Sequence, residues 1–197
     1  MISQNDNVRG RSEKSALWLA TILISTRSSF IRARGERTEL RSVRIRTPEN
    51  ANIIIGQTHF IKTVEDMYET VVSTVPKARF GVAFNEASGP CLIRVDGNDD
   101  GLKACAVENA MNIGAGHIFV LVLEDCYPIN VLNAIKGLQE VCSVFCATAN
   151  PVDVIVAENE TGRGILGVID GEKPKGVETA RDAEDRKAFL RKIGYKR

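Results

Sequence analysis

The pattern of apolar and polar residues divides the chain into short strands and amphipathic helices. Residues 42–46 alternate as in a half-buried strand, whereas residues 117–123 are almost entirely apolar, which predicts a central strand buried on both faces. The same criteria predict six further strands, at residues 51–56, 78–84, 92–95, 141–148, 152–157 and 165–169. The polar segment 85–90 joins two of these strands and predicts a hairpin.

Four stretches have helical spacing instead. In residues 63–75 the apolar positions recur every three or four residues, with Thr63 as the predicted N-cap and Pro76 as the stop. A second helix is predicted from Asn98 or Asp99 to residue 113, closed by Gly114. The third helix covers residues 129–138, and the fourth begins after Thr179 and ends before Gly194.

The predicted order is therefore ββαββαβαβββα. Because hairpins alternate with single helices, this order predicts a mixed α/β fold. We expect a mixed β-sheet covered by about four helices in a layered, α/β/α-like sandwich.

Charge separates the N-terminal segment from the rest. Residues 1–46 contain ten Lys or Arg and four Asp or Glu, a net charge of +6, which leaves −5 for residues 47–197. We therefore expect a basic extension over residues 1–39 and one domain over residues 40–197. The extension is interpreted as disordered or a start-site artefact, as an organelle transit peptide, or as a secretory signal. Since no methionine lies between Met1 and Met67, a later start would need a non-AUG codon.

Composition predicts which partners the domain binds and where in the cell the protein is located. The acidic domain predicts no nucleic-acid binding, and the apolar run at residues 16–24 is too short to span a bilayer. The five cysteines are an odd number scattered through apolar runs, which indicates buried, reduced thiols. We expect a cytoplasmic protein, or an imported one if residues 1–39 are a transit peptide.

No common nucleotide-binding motif is present. The string Gly162-x-Gly164-x-x-Gly167 matches the dinucleotide fingerprint, but a predicted strand follows it where the fingerprint requires a helix. The sequence also lacks Gly-x-x-x-x-Gly-Lys-Ser/Thr, His-Arg-Asp and Asp-Phe-Gly. Any phosphoryl transfer must therefore use another arrangement.

Polar residues at predicted strand ends are the candidates for chemistry. Asn85, Glu86 and Ser88 share one loop, in which Glu86 is either a base or magnesium ligand or a solvated turn residue. His117 begins the buried strand and is either a catalytic or a hydrogen-bonded structural histidine. His59 lies in a similar position.

A second set lies further along the chain. Asn130 and Asn133 lie on one face at the start of a predicted helix. Their amides and the free backbone N–H groups there are suited to bind a phosphate or a purine edge. Alternatively, Asn130 is simply a polar residue of the first turn. Arg163, between two glycines, is a phosphate ligand or an exposed turn residue. Three further candidates follow. Lys175 is a possible second cation, Asp170 a possible metal ligand and Asn150 a further polar contact to the ligand. Each is also explained as an ordinary turn residue.

Five segments resemble the adenosine-specific kinase family: Asn85-Glu-Ala-Ser-Gly-Pro90, Gly114-Ala-Gly-His117, residues 128–136, residues 146–170 and residues 189–197. The resemblance covers about residues 40–197. It implies phosphoryl transfer from ATP to adenosine with Mg²⁺, giving AMP, in a homo-oligomer.

Under this resemblance, Glu86 or Asp170 is the proton acceptor or metal ligand. We expect Asn85, Glu86, Ser88 and His117 to form one wall of a pocket, and Asn130, Asn150 and Arg163 to form the other. The alternative is a non-catalytic module that binds AMP or adenosine.

Overall fold

The computed structural model describes residues 30–33 and 36–197. Its strands are β1 (Phe30–Ala33), β2 (Glu36–Arg44), β3 (Asn52–Thr58), β4 (Arg79–Asn85), β5 (Ile93–Gly97), β6 (Ile118–Glu124), β7 (Val141–Thr148), β8 (Val152–Glu158) and β9 (Arg163–Asp170). Its helices, numbered within the described residues, are α1 (Thr63–Thr74), α2 (Asp100–Ile113), α3 (Pro128–Lys136) and α4 (Ala180–Lys192).

Five strands form the larger sheet in the order β5-β4-β6-β3-β7, and every neighbouring pair is antiparallel. Helices α1, α2 and α3 each connect two strands that run in the same direction but are separated by one strand. That intervening strand runs the opposite way. The predicted central strand, β6, lies in the middle of this sheet, as its apolar sequence indicated.

The smaller sheet has the order β1-β2-β8-β9 and is also antiparallel. Strand β2 pairs with β8 from Glu39 opposite Glu158 to Arg44 opposite Asp153. The chain passes from the larger sheet to the smaller one at Asn150 and Pro151, between β7 and β8.

Two apolar layers cover the larger sheet. On one face, Phe80, Phe84 and Phe119 pack against α1 and α3 through residues that include Met67 and Ile135. On the other face, strand residues that include Ile53, Ile55 and Val120 pack against α2 and against the inner residues of β8, Val152, Val154 and Val156. Burial of these side chains contributes about 1.5–3 kcal/mol each. Helix α4 contains no buried residue.

The mixed α/β class with four helices is confirmed, but the sheet differs from the expectation. There are two antiparallel sheets where we expected one mixed sheet. The helices do join parallel strands, which is the pattern that suggested a mixed sheet. Each gap between those strands is filled by an antiparallel strand paired over a long sequence distance, and a local pattern does not show such pairing.

Helix ends mostly follow the sequence signals. The Asp99 carboxylate accepts a hydrogen bond from Leu102 N, Thr179 caps α4, and Gly114 ends α2 with a φ of 63°. The predicted cap of α1 is wrong, because Lys62 occupies the N-cap position. The Thr63 side chain is buried instead, where its hydroxyl lies 3.0 Å from that of Thr58.

Strand β2 runs through the predicted boundary between residues 39 and 40. The proposed basic extension otherwise falls largely on residues 1–29, which lie outside the described part of the chain. Among the described helices, none has the length and apolarity needed to cross a membrane.

Candidate active site

The ends of the larger sheet define two edges, which we name after one residue each. The His117 edge contains the C-terminal ends of β3 and β4 and the N-terminal ends of β5, β6 and β7. The Asn52 edge contains the opposite end of each strand. Strand β3 spans the distance between them with seven residues. At about 3.4 Å per residue the edges are therefore roughly 20 Å apart.

His117 is held at the centre of its edge by its backbone. Its N–H donates to Asn85 O at 2.8 Å, and its carbonyl accepts from Thr58 N at 2.9 Å. Its φ is 56°, in the left-handed region that few residues other than glycine adopt. The preceding Gly116 allows close approach, since a Cβ there would lie 2.8 Å from Ala87 Cβ. Such strained backbone tends to occur at functional sites.

Glu86 lies beside the His117 ring. Its Oε1 is 3.5 Å from His117 Nε2, and its Oε2 is 3.4 Å from Arg94 Nε. The Ser88 hydroxyl donates to Glu86 Oε1 at 3.0 Å, as does Ala87 N at 3.1 Å. The Ser88 hydrogen bond, aided by backbone N–H groups and Arg94, lowers the pKa of Glu86 although burial opposes this. Glu86 is therefore an anion at neutral pH.

Aromatic contacts fix the other side of the histidine. The His117 ring is stacked nearly parallel to Phe84, with centroids 6.0 Å apart. His59 approaches the same ring edge-on, with a centroid distance of 6.1 Å. Because Phe84 is fully buried, the His117 ring has a rigid apolar base beneath it.

Glu140 lies next in line, at the start of β7. Its backbone carbonyl accepts from His59 N at 3.0 Å. Its side chain is only 2% exposed, and neither carboxylate oxygen has a hydrogen-bond partner among the described residues. The nearest cation is Lys62, with Nζ 3.6 Å from Glu140 Oε2. Lys62 also pairs closely with Asp66, and that hydrogen bond is the main cause of its raised pKa.

These residues follow one another across the strand ends, and we call them the polar row: Arg94, Glu86, His117, His59, Glu140 and Lys62. In it, two cations flank two carboxylates and two imidazoles. Among the described residues, no group of three or more His, Cys, Asp or Glu is placed to hold a metal ion. The row can hold an anion near its cations and accept a proton at an imidazole.

The residues of the first predicted wall do lie together. Asn85, Glu86, Ser88 and His117 all belong to the His117 edge. The Asn85 side chain serves the fold, however, because its amide nitrogen donates to Ala110 O and Ala115 O, both at 2.9 Å. It thereby fixes the end of α2 against β4. Its role as a substrate ligand stays a prediction.

Arg163 lies near the same end of the molecule, beside Gly114. Its Nη1 donates to the carbonyls of Asn112 and Ile113, and its Nε is 3.0 Å from Glu158 Oε1. A cation at these carbonyls stabilises the C-terminus of α2. The Arg163 guanidinium therefore makes contacts within the fold, which argues against its being free to bind phosphate through two parallel hydrogen bonds.

The rest of the second wall lies elsewhere. Asn130 Oδ1 accepts from Tyr127 N and from the Tyr195 hydroxyl, at the Asn52 edge. Asn150 donates to Asp170 Oδ1 at 3.0 Å, next to Thr148 at the end of β7.

Asn133 is an exposed residue of α3, and Lys175 is an exposed residue paired with Glu172. The structure therefore places Asn130 and Asn150 away from the first predicted wall, whereas Arg163 lies near it. In an antiparallel sheet, the ends of successive strands alternate between edges.

Sequence reasoning missed several members of the polar row: Arg94, Glu140 and Lys62. It considered His59 without pairing it with His117. The hairpin register, which places Arg94 opposite Phe84, would have brought Arg94 near Glu86. For Glu140 no local signal existed, because its position depends on the pairing of β7 with β3.

Comparisons with known proteins agree with this architecture. The family described as "Adenosine specific kinase" matches residues 43–196. Among solved structures, the crystal structure of the PH1918 protein from Pyrococcus horikoshii OT3 is similar, with 44% sequence identity and a TM-score of 0.78. The match covers 81% of this chain and 99% of that chain. No curated protein matches significantly. Because the family match spans most of the chain, the chain belongs to the adenosine-specific kinase family.

Proposed function

We propose that this protein transfers a phosphoryl group from ATP to adenosine at the polar row, giving AMP and ADP. The observation that carries the proposal is the contact between an ionised Glu86 and His117, with Arg94 beside them. A base held by a carboxylate and a nearby cation are what transfer to a hydroxyl requires. Family membership supports adenosine as the acceptor.

His117 is the proposed proton acceptor. Since Glu86 lies against Nε2, it holds the imidazole proton on that atom and leaves Nδ1 free. The 5′-hydroxyl oxygen of adenosine attacks the γ-phosphorus, and its proton passes to His117 Nδ1. The bond between the γ-phosphorus and the β,γ-bridging oxygen breaks, and ADP leaves. Glu86 stabilises the imidazolium that forms.

The two cations flank the reacting groups. Arg94 is about a third exposed and Lys62 slightly more, so both are accessible to a polyphosphate. Arginine suits the transferred group because its planar fork matches phosphate oxygens in pairs. Lysine supplies a point charge at the other end of the row.

Magnesium, which the family implies, fits one residue of this edge. Mg²⁺ keeps several waters and is held by one or two carboxylates together with substrate phosphates, so a protein cage is unnecessary. Glu140 has the right chemistry, because both its oxygens lack a hydrogen-bond donor among the described residues. When bound there, the ion would neutralise charge on the phosphate oxygens.

AMP formation tests the proposal directly. The full chain is incubated with adenosine and Mg²⁺-ATP, and AMP is followed by chromatography. We expect His117→Gln and Glu86→Gln each to lower kcat by about 100-fold or more. Glu184→Gln, on the exposed helix α4, is the matched control and should leave the rate unchanged. Equal rates for wild type and His117→Gln would refute this mechanism.

A non-catalytic module that binds AMP or adenosine is the second candidate. The absence of the common phosphate-binding motifs favours it. Calorimetry separates the two functions: AMP binding without any Mg²⁺-dependent ATP binding supports the module, whereas a distinct ATP site supports the kinase.

We also propose a cytoplasmic homo-oligomer. Large apolar side chains are exposed on β9 and α4, namely Leu166, Ile169 and Phe189. The five cysteines are free, and burial raises the pKa of the Cys146 thiol to about 11, which keeps it protonated. Sedimentation of the full chain measures its oligomeric state directly. A monomer at micromolar concentration would contradict the proposed homo-oligomer.

A further inference from the structure

Glu140 is buried without the partners that a carboxylate needs. Its side chain is 2% exposed, and it is the one described residue with two buried side-chain atoms that lack a hydrogen-bond partner. A carboxylate offers about four lone-pair sites to donors, so this one is poorly satisfied. Burying a charge in that state is costly unless an opposite charge compensates for it. Glu140 therefore requires a cation beside it.

Lys62 supplies that charge incompletely. Its ammonium nitrogen lies 3.6 Å from Glu140 Oε2, which is close enough for an ion pair but too long for a hydrogen bond. The same ammonium is held more closely by Asp66, and that hydrogen bond is the main cause of the raised pKa of Lys62. The lysine is therefore charged, and its charge is shared between two carboxylates.

The backbone keeps the lysine and the glutamate apart. The Thr58 hydroxyl donates to Glu140 O at 3.1 Å, and it lies 3.0 Å from the Thr63 hydroxyl. Both threonines are fully buried, so they tie the segment that carries Lys62 to the start of β7. The lysine side chain, in contrast, is 45% exposed and can move away from Glu140 into solvent. Movement of this side chain would uncover the carboxylate.

The stability of α1 does not explain why a lysine stands at position 62. Lys62 occupies the N-cap, where its side chain makes no capping hydrogen bond, because an ammonium only donates. A cation at the N-terminus of a helix also opposes the helix dipole, whereas Asp66 in the first turn suits it. The two carboxylates account for Lys62 better than the helix does.

We propose that Lys62 is a built-in counter-ion that competes with a divalent cation for Glu140. This inference rests on the role proposed above for Glu140 toward Mg²⁺. Without the cation, Lys62 compensates for part of the charge of Glu140. When the cation binds Glu140, the ammonium moves fully onto Asp66, so that no charge is left unpaired. Asp66 thus favours metal binding by holding the displaced lysine and is not itself a ligand.

Mn²⁺ binding to the full chain, without nucleotide, tests this proposal. Mn²⁺ prefers the same oxygen ligands as Mg²⁺, and electron paramagnetic resonance measures its unbound fraction. We expect Lys62→Met to raise the affinity by about tenfold or more, because it removes a like charge from the metal position. Asp66→Asn should lower the affinity by about fivefold, since Lys62 then pairs with Glu140 alone. The two variants therefore shift the affinity in opposite directions.

The same two changes on α2 provide the matched controls. Lys103 pairs with Asp100 on that helix, so Lys103→Met and Asp100→Asn should bind Mn²⁺ as wild type does. Glu140→Gln should abolish binding at this site. Melting curves confirm that each variant is folded, and they give a second measurement. At the same Mn²⁺ concentration, the Tm of Lys62→Met should rise more than that of wild type.

Several results would overturn the proposal. These are shifts of affinity in the same direction in Lys62→Met and Asp66→Asn, wild-type affinity in both, or no Mn²⁺ binding by Lys62→Met at millimolar concentration. Weaker binding by the double variant than by Lys62→Met would also overturn it, because Asp66 would then be a ligand.

The kinase proposal fails independently of this one. Opposite shifts in Mn²⁺ affinity without any AMP formation would refute only the kinase. AMP formation with unshifted Mn²⁺ affinities would refute only the counter-ion.

Discussion

Replacing Asn85 by aspartate separates a structural role from a ligand role at the His117 edge. The amide nitrogen of this buried residue donates to two carbonyls at the end of α2, Ala110 O and Ala115 O. The substitution puts an acceptor where the donor was. It removes two hydrogen bonds of about 1 kcal/mol each and leaves a buried carboxylate facing two carbonyl oxygens. We expect a total loss of about 3–5 kcal/mol.

The loss should appear as a fall in Tm. For a chain of this size, 1 kcal/mol corresponds to about 2–4 °C, so the expected shift is about 6–20 °C. The pKa of the introduced carboxyl should be raised in the folded state, since burial and the carbonyls disfavour its charge. Protonation therefore relieves part of the loss at low pH. The deficit should grow as the pH rises from about 4, the unfolded value, through the folded pKa.

Asn133→Asp is the matched control, because it makes the same chemical change at an exposed position of α3. Its effect should stay below about 1 kcal/mol. Thermal melts of both variants at pH 5 and pH 8 provide the measurement. If Asn85→Asp melts within 2–3 °C of wild type at pH 8, the amide does not hold α2, and our account of this edge is wrong.

Three further predictions concern the frame around the site. Gly81→Ala should cost about 3 kcal/mol or more, because a Cβ there would lie 2.2 Å from Lys103 N, whereas Gly164→Ala, with open space around it, should cost much less; denaturant unfolding compares them. Asp99→Ala should lower Tm measurably through loss of the α2 cap and the Arg79 ion pair, whereas Asp100→Ala, at its exposed neighbour, should change Tm little. Folding lowers the pKa of Glu86, so the contacts of its carboxylate stabilise the protein fully above the unfolded pKa of about 4.5 and are lost as the pH falls through the folded pKa. The Tm of wild type should therefore fall further than that of Glu86→Gln between pH 6 and pH 3.

Local sequence signals were enough for most of the elements, although not for β1 or the first half of β2, and they did not show how the strands pair. The apolar run of β6 and the Gly114 stop depend on residues close in sequence and were predicted correctly, and the cap of α2 is Asp99, one of the two candidates that the sequence offered. The pairing of β2 with β8 joins Arg44 to Asp153, more than 100 residues apart. No periodicity within either strand specifies that partner, so the second sheet could not be foreseen.

The candidate site was likewise predicted only where its residues are close in sequence. The loop that carries Glu86 and Ser88 and the turn that carries His117 were recognised from local sequence. The expectation that Asn130 and Asn150 join them assumed a common rim for all strand ends. That assumption suits parallel strands, in which equivalent ends share one edge. In this antiparallel sheet β6 and β7 end at the Asn52 edge, whereas β4 ends at the His117 edge.

Glu140 offers a direct test of whether the His117 edge gives up stability for function. Its carboxylate is buried without a hydrogen-bond donor among the described residues, and Lys62 is bound more closely to Asp66 than to it. Neutralising a carboxylate in such a position should relieve a cost of about 1–3 kcal/mol. We therefore expect Glu140→Gln to raise Tm by about 2–12 °C while lowering Mg²⁺-dependent AMP formation. Glu69→Gln, on the exposed side of α1, should change neither quantity. A lower Tm for Glu140→Gln would mean that the pair with Lys62 stabilises the fold, and the proposed role of Glu140 toward the metal would lose its physical basis.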